Sequence, residues 1–277
     1  MKGTYSSDGA ALALSDSGAG LPVVFLHPTP LDHDYWRPLI AELAGVRAIG
    51  PDFRGHGQSE LGTGLPVGLF ARVPDAPVLT ITQLASDILA LLDHLHLPNA
   101  VFAGCSIGGY VLLELWRRIP DRMRGLAFVC SKPQPDTETN LAKRAENIAK
   151  ARTGEAAQFF DGMARTLAGP TARARRPEIV SEVLARMTLS PEAIVAVQAG
   201  LATRPDSVPT VATITAPVLA IAGGEDGAVS AAEMEAFKAA PGGCVYHLLA
   251  DAGHFAAYEQ PQRVASLFAP WLRRFQV

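Results

Sequence analysis

A chain of 277 residues, 48% hydrophobic and 18% charged, is globular rather than disordered and long enough to bury a sizeable core as one α/β unit. Its net charge of -3 comes with dispersed cations, and the densest basic cluster, Arg173 to Arg176, is broken by Ala174 and lies in a helical stretch, which excludes a nucleic-acid surface. No window reaches the roughly 20 apolar residues that a membrane-spanning helix requires.

In chain order, Pro22 to His27 reads as a buried strand, because its Val-Val-Phe-Leu run does not alternate. Trp36 to Leu43 reads as a helix and Val46 to Asp52 as a strand. Ile81 to His96 places Leu84, Ile88, Leu91, Leu92 and Leu95 at helical spacing, and Pro98 stops it. Ala100 to Gly104 is a short strand, Ile107 to Arg118 a helix ended near Pro120, and Gly125 to Cys130 a strand. Strand–helix alternation of this kind predicts a mostly parallel sheet with helices on both faces. The rhythm returns late, with Ala216 to Ala222 and Cys244 to Leu249 as strands and Ala231 to Ala240 and Pro261 to Phe275 as helices.

Between the two halves, over 133–213, no good strand is present. Helical stretches run roughly from Leu141 to Thr153, Glu155 to Leu167, Pro177 to Met187 and Pro191 to Thr203. The expected organisation is therefore a core of 1–132 and 214–277 with a helical cap of 133–213 over the strand ends, where ligands bind in such sheets. A second insertion, Leu61 to Pro77, is rich in Gly and Pro yet carries Leu65, Val67, Leu69, Phe70 and Val73. It is either a surface loop packed on its own side chains or a wall of a pocket. Exposing Leu65, Leu69 and Phe70 together would create a sizeable apolar patch, so it is expected to pack on the cap and narrow the entrance.

The strongest chemical signal is Gly104-Cys105-Ser106-Ile107-Gly108-Gly109, a G-x-S-x-G string between a predicted strand and a predicted helix. One sharp turn there exposes the serine hydroxyl, and the helix start supplies backbone N–H groups near a reacting oxygen. A serine needs a base, and the base an orienting acid. Of seven histidines, His254 follows the last predicted strand in Asp251-Ala252-Gly253-His254-Phe255, at the same sheet edge as Ser106. His94 and His96 end a helix, and His247 lies within a strand and reads as packed. The acid falls between serine and histidine in chain order. Gly223-Gly224-Glu225-Asp226 ends a strand, with Asp226 the first candidate and Glu225 its rival. Asp32-His33-Asp34 reads as a helix start rather than a metal site, and Cys105 as a small buried hydrophobe.

These residues resemble the α/β-hydrolase family, and more narrowly its small esterases, lactonases and cofactor-free haloperoxidase-like members. Asp52-Phe53-Arg54-Gly55-His56-Gly57-Gln58-Ser59 is similar to the family's D-x-R-G-x-G-x-S loop, and Leu26-His27-Pro28-Thr29-Pro30 stands where the family carries its His-Gly-x oxyanion motif. The resemblance implies an α/β fold with a helical cap inserted after the sixth strand. It implies Ser106, Asp226 and His254 as the triad, and the N–H groups of Thr29 and Ile107 as the oxyanion hole. Pro28 replaces the usual glycine and has no N–H, but the implied donor is the next residue. A serine at the elbow argues against dehalogenase and epoxide hydrolase chemistry, which use a carboxylate nucleophile.

The expected activity is cleavage of a carboxylic ester or lactone of a small, largely apolar substrate through an acyl-enzyme, with Phe159, Phe160, Met163 and Leu167 of the cap as candidate pocket residues. The alternatives are carbon–carbon bond hydrolysis or acyl transfer by the same triad, or a ligand-binding protein with little turnover. A small-molecule substrate is the expected partner, with no cofactor, metal, nucleic acid or membrane. Three scattered cysteines, Cys105, Cys130 and Cys244, form neither a disulfide framework nor a zinc pattern. Met1 to Ala10 lacks the basic-then-apolar order of a signal peptide, so the expected location is the cytoplasm. Oligomeric state is not legible.

Overall fold

The computed structural model describes residues 2–276. Its chain begins with an antiparallel hairpin of β1 (Lys2–Ser7) and β2 (Ala10–Gly18). Neither strand is among those predicted. β1 buries only Tyr5 and Ser7, too little apolar content to stand out. The available signal was Asp8-Gly9, whose φ values of 45° and 73° fit the tight turn that Asp-Gly favours between paired strands.

Six further strands follow: β3 (Leu21–Leu26), β4 (Val46–Pro51), β5 (Ala100–Cys105), β6 (Met123–Val129), β7 (Val218–Gly223) and β8 (Cys244–Leu249). All eight form one sheet in the order β1-β2-β4-β3-β5-β6-β7-β8. β2 pairs antiparallel with β4, and every later pairing is parallel. β5 and β7 are buried along their whole length, as their unbroken apolar runs require when helices cover both faces. β8 is an edge strand and is only partly buried, His247 included.

The first helix is shorter than predicted: a 3-10 turn, His33–Trp36, runs into α1 (Arg37–Ile40). α2 (Ile81–His94) begins where the Thr80 hydroxyl accepts the Gln83 N–H at 3.0 Å, a side-chain cap for an otherwise unpaired donor. α3 (Ile107–Arg118) follows Ser106 directly. The predicted helical insertion follows β6, the sixth strand. It comprises α4 (Glu138–Arg152), α5 (Ala156–Leu167), α6 (Pro170–Arg175), α7 (Ile179–Leu184), α8 (Pro191–Ala202) and α9 (Val208–Val211). α9 was not predicted, and α6 only as a helical stretch around Arg173 to Arg176, both being too short to show a helical period. The core closes with α10 (Ala231–Met234), α11 (Ala256–Glu259) and α12 (Pro261–Leu272). Among the described residues no helix is long and apolar enough to cross a membrane.

Buried polar contacts tie the two ends of the insertion to each other and to α3. The ends meet where the Ser207 N–H donates to the Pro133 carbonyl at 2.9 Å. Arg204 is buried, donates to Asp136 at 2.5 Å and to the Gln134 carbonyl at 3.0 Å, and lies over the Tyr110 ring of α3 at 4.4 Å. Arg144 of α4 shares Asp136 at 3.1 Å and reaches Gln198 of α8 at 3.1 Å. Burial alone would favour a neutral Asp136, but the two guanidinium groups outweigh it and hold the carboxyl below its ordinary range.

Candidate active site

In this sheet order β3 connects to one side and β5 to the other, so a crevice opens at their carboxyl ends. Leu26 pairs with Gly104 across that crevice, and the residues that follow each are brought together. Ser106 turns directly from β5 into α3 with φ 52° and ψ −116°, a strained backbone for a residue with a side chain. The glycines make this turn possible. A Cβ on Gly104 would lie 2.4 Å from the Gly108 carbonyl carbon, and one on Gly108 would lie 2.3 Å from the Leu26 carbonyl oxygen. The Ser131 hydroxyl donates to the Ser106 carbonyl at 2.8 Å and braces the turn from β6. Ile107 is the first residue of α3, so its N–H has no carbonyl a turn earlier in the helix to bond.

The loop after β3 carries Thr29, whose N–H makes no hydrogen bond among the described residues. Two neutral histidines hold this loop. His27 Nδ1 donates to the Pro28 carbonyl at 3.0 Å, which leaves Nε2 to accept the Phe53 N–H at 2.9 Å. His56 Nδ1 donates to the Arg54 carbonyl at 2.8 Å, and its Nε2 accepts the Thr29 hydroxyl at 2.9 Å. Burial pushes His27 down to about 4 and His56 down to about 3. The Asp52–Ser59 loop thus positions Thr29. It is itself pinned by Arg54, which is buried and bonds Asp87 at 2.7 and 2.9 Å and the Ser7 carbonyl of the hairpin at 2.6 Å.

Asp226 and His254 meet on the loops after β7 and β8. His254 Nδ1 lies 2.9 and 2.8 Å from the two Asp226 carboxylate oxygens, and both side chains are buried. Asp226 Oδ1 also accepts the N–H groups of Ala228 and Val229 at 2.7 and 3.0 Å. Glu225, the rival carboxylate, is turned away. It accepts the Thr171 N–H at 2.8 Å and hydroxyl at 2.6 Å, tying α6 to the sheet edge.

Glu259 was not among the expected site residues. Its carboxylate accepts the N–H groups of Gly253 at 2.7 Å and Phe255 at 3.3 Å, on either side of His254, and that of Gly169 at 3.3 Å. Burial raises its pKa. Cys105 sits beneath the site as expected, its buried sulfur accepting from the Tyr35 hydroxyl at 3.3 Å. Burial pushes that thiol well up, which makes it unreactive. Asp32 caps the 3-10 turn, accepting the Asp34 N–H at 3.0 Å.

A groove of about 390 Å³ lies between α4 and α5. Phe159, Met163 and Leu167 form its apolar wall, and Asn140, Lys143, Arg144, Asn147 and Lys150 face them from α4. Gly227 and Ala228, exposed residues that follow Asp226, also line it. The Leu167 carbonyl accepts the His254 N–H at 2.9 Å. Phe160, expected with the other apolar residues, is buried away from this groove. One wall of this groove is apolar and the other cationic, and none of Ser106, Thr29, Ile107 and His254 lines it. The Leu61 to Pro77 segment does not line the groove.

The chain belongs to the alpha/beta hydrolase family, whose model matches residues 23–267. It is 27% identical over 263 residues to 3-oxoadipate enol-lactonase 1 of Acinetobacter baylyi, covering 92% of this chain and 89% of that protein. A thermophilic esterase from Thermogutta terrifontis superposes with a TM-score of 0.89 at 29% identity over the whole of both chains. An enol-lactonase from Burkholderia xenovorans, at 24% identity, shares the fold with a TM-score of 0.85 over 98% of this chain and all of that one.

Proposed function

We propose that the protein is a serine hydrolase that cleaves a carboxylic ester or lactone of a small substrate through an acyl-enzyme. The observation that carries this reading is the Asp226–His254 pair, 2.8 Å apart, at the same sheet edge as a serine held at positive φ. The relatives named above as an esterase and enol-lactonases support the choice of bond.

Asp226 keeps the Nδ1 proton on His254, so Nε2 is free to take the proton of Ser106 Oγ as that oxygen attacks the carbonyl. The developing oxyanion lies between the N–H groups of Thr29 and Ile107, each donor contributing on the order of 3 kcal/mol. Collapse of the tetrahedral species breaks the bond to the alkoxy oxygen, and His254 returns the proton to it. Water then attacks the acyl-enzyme, giving its proton to His254, and the acid leaves as Ser106 regains its hydroxyl. The helical insertion acts as a cap that walls the substrate. The expected location remains the cytoplasm.

A panel of p-nitrophenyl esters, lactones and β-diketones tests the bond class. Turnover of esters or lactones that is lost in Ser106→Ala supports the reading. Turnover of β-diketones alone assigns carbon–carbon bond cleavage instead, and binding without turnover assigns a receptor.

A further inference from the structure

Two segments meet back to back beside His254. One is the junction of α5 and α6 in the insertion, residues 167–171, and the other is the loop after β8, residues 253–255. Their backbones touch at Gly169 and Gly253. A Cβ on Gly169 would lie 2.7 Å from the Gly253 nitrogen, and one on Gly253 would lie 2.3 Å from the Gly169 nitrogen. Only residues without a side chain allow that approach.

Two acceptors answer the N–H groups on both sides of this contact. The Leu167 carbonyl takes that of His254 at 2.9 Å. The Glu259 carboxylate takes three more: Oε2 accepts from Gly253 at 2.7 Å, and Oε1 accepts from Phe255 and from Gly169, each at 3.3 Å. Among the described residues every hydrogen bond of Glu259 comes from a backbone N–H. The carbonyls of Gly253 and His254 face thiols, Cys130 at 3.5 Å and Cys105 at 3.7 Å, and thiols are weak donors. The His254 backbone is therefore held chiefly by Glu259 and the insertion, whereas Asp226 holds its ring.

We propose that Glu259 is a positioning residue that clamps the His254 loop to the junction at 167–171, so that the histidine is correctly placed for Ser106 only while the insertion is seated. This rests on the hydrolytic reading above and names the residue that links the insertion to the reaction.

Glu259→Gln and Gly169→Ala test the clamp from opposite sides. An amide has one acceptor oxygen where a carboxylate has two, so Glu259→Gln keeps only one side of the clamp. Gly169 has φ −60°, which alanine adopts without strain. Gly169→Ala is thus a wedge between the two segments and removes no side chain from the site. With active sites counted by fluorophosphonate titration, kcat on p-nitrophenyl esters should fall in each folded variant by a factor on the order of 10 to 100, the effect of a misplacement of about 1 Å, with KM little changed. A folded variant that has a lower Tm but an unchanged kcat per active site overturns the proposal and leaves hydrolysis intact. A second measurement needs no turnover: the downfield proton resonance of His254 Nδ1, identified by its absence in His254→Ala. It should shift or broaden in each folded variant well below its Tm, and an unchanged resonance overturns the proposal. Either variant suffices if the other does not fold. If the wild type turns over no ester or lactone, the hydrolytic reading fails, and the resonance alone decides the clamp.

Discussion

Two neighbouring carboxylates occupy the end of β7, and one hydrogen bond separates their roles. Asp226 faces His254 Nδ1, whereas Glu225 holds Thr171 of α6. Asp226→Asn should therefore lower kcat strongly, by a factor on the order of 10⁴, with little change in Tm, while Glu225→Gln should leave most of kcat. The reverse pattern in a kinetic comparison would assign the acid to Glu225. The buried histidines make a separate prediction. His27 and His56 fold with pKa values of about 4 and about 3, below the ordinary 6.5, because burial opposes their charging. Below pH 6.5 the unfolded chain binds more protons than the folded one, so stability is lost as pH falls from 6.5 toward those folded values. Carboxylates held low, such as Asp52 and Asp136, add a loss only below 3.8. Thermal melts should show Tm falling steadily between pH 6.5 and 4, and a flat series would contradict neutral histidines beside Thr29. The Asp226–His254 pair, 2.8 Å apart, was foreseeable because chain order and strand ends single those two residues out. His56 and Glu259 were not, because they act through loop contacts between residues far apart in sequence.

At the scale of elements, the Leu61 to Pro77 segment packs on the insertion, as expected of it. Arg72 pairs with Glu138, Asp75 with Arg152 at 3.1 Å, and the Leu79 N–H reaches the Ala196 carbonyl at 3.0 Å. Phe70 is buried at 4% exposure, while Val67 and Leu69 remain 61% and 53% exposed. The segment is also bonded to itself, Gly68 to Pro74 at 2.8 Å and Pro66 to Val78 at 2.8 Å. The segment is thus a partly self-bonded loop that pairs with α4, and the residues just after it reach α8. Replacing Leu65 to Pro74 with a short Gly-Ser linker should lower Tm, because α4 loses the Arg72–Glu138 ion pair and the core loses Phe70. It should leave the relative rates on bulky and small esters unchanged. A shift toward bulky esters would put the segment at the entrance after all. The missed hairpin illustrates the same limit. β1 belongs to the sheet through pairing with β2 and the Arg54 bond to Ser7, and neither contact shows in its local apolar pattern.

Across the whole molecule, the sheet was the most legible part, since parallel strands buried on both faces must be continuously apolar. The helical insertion was legible as a break in that rhythm, but the cationic flank that α4 presents beside α5 was not, because α4 reads as an ordinary solvated helix. The account as a whole depends on one claim, that Ser106 is an activated nucleophile at the junction of β5 and α3. Labelling with a fluorophosphonate followed by peptide mass spectrometry tests it most directly. The adduct should fall on the peptide containing Ser106, disappear in Ser106→Ala and slow greatly in His254→Ala. Undiminished labelling of a folded Ser106→Ala protein, or none of the folded wild type, would contradict it.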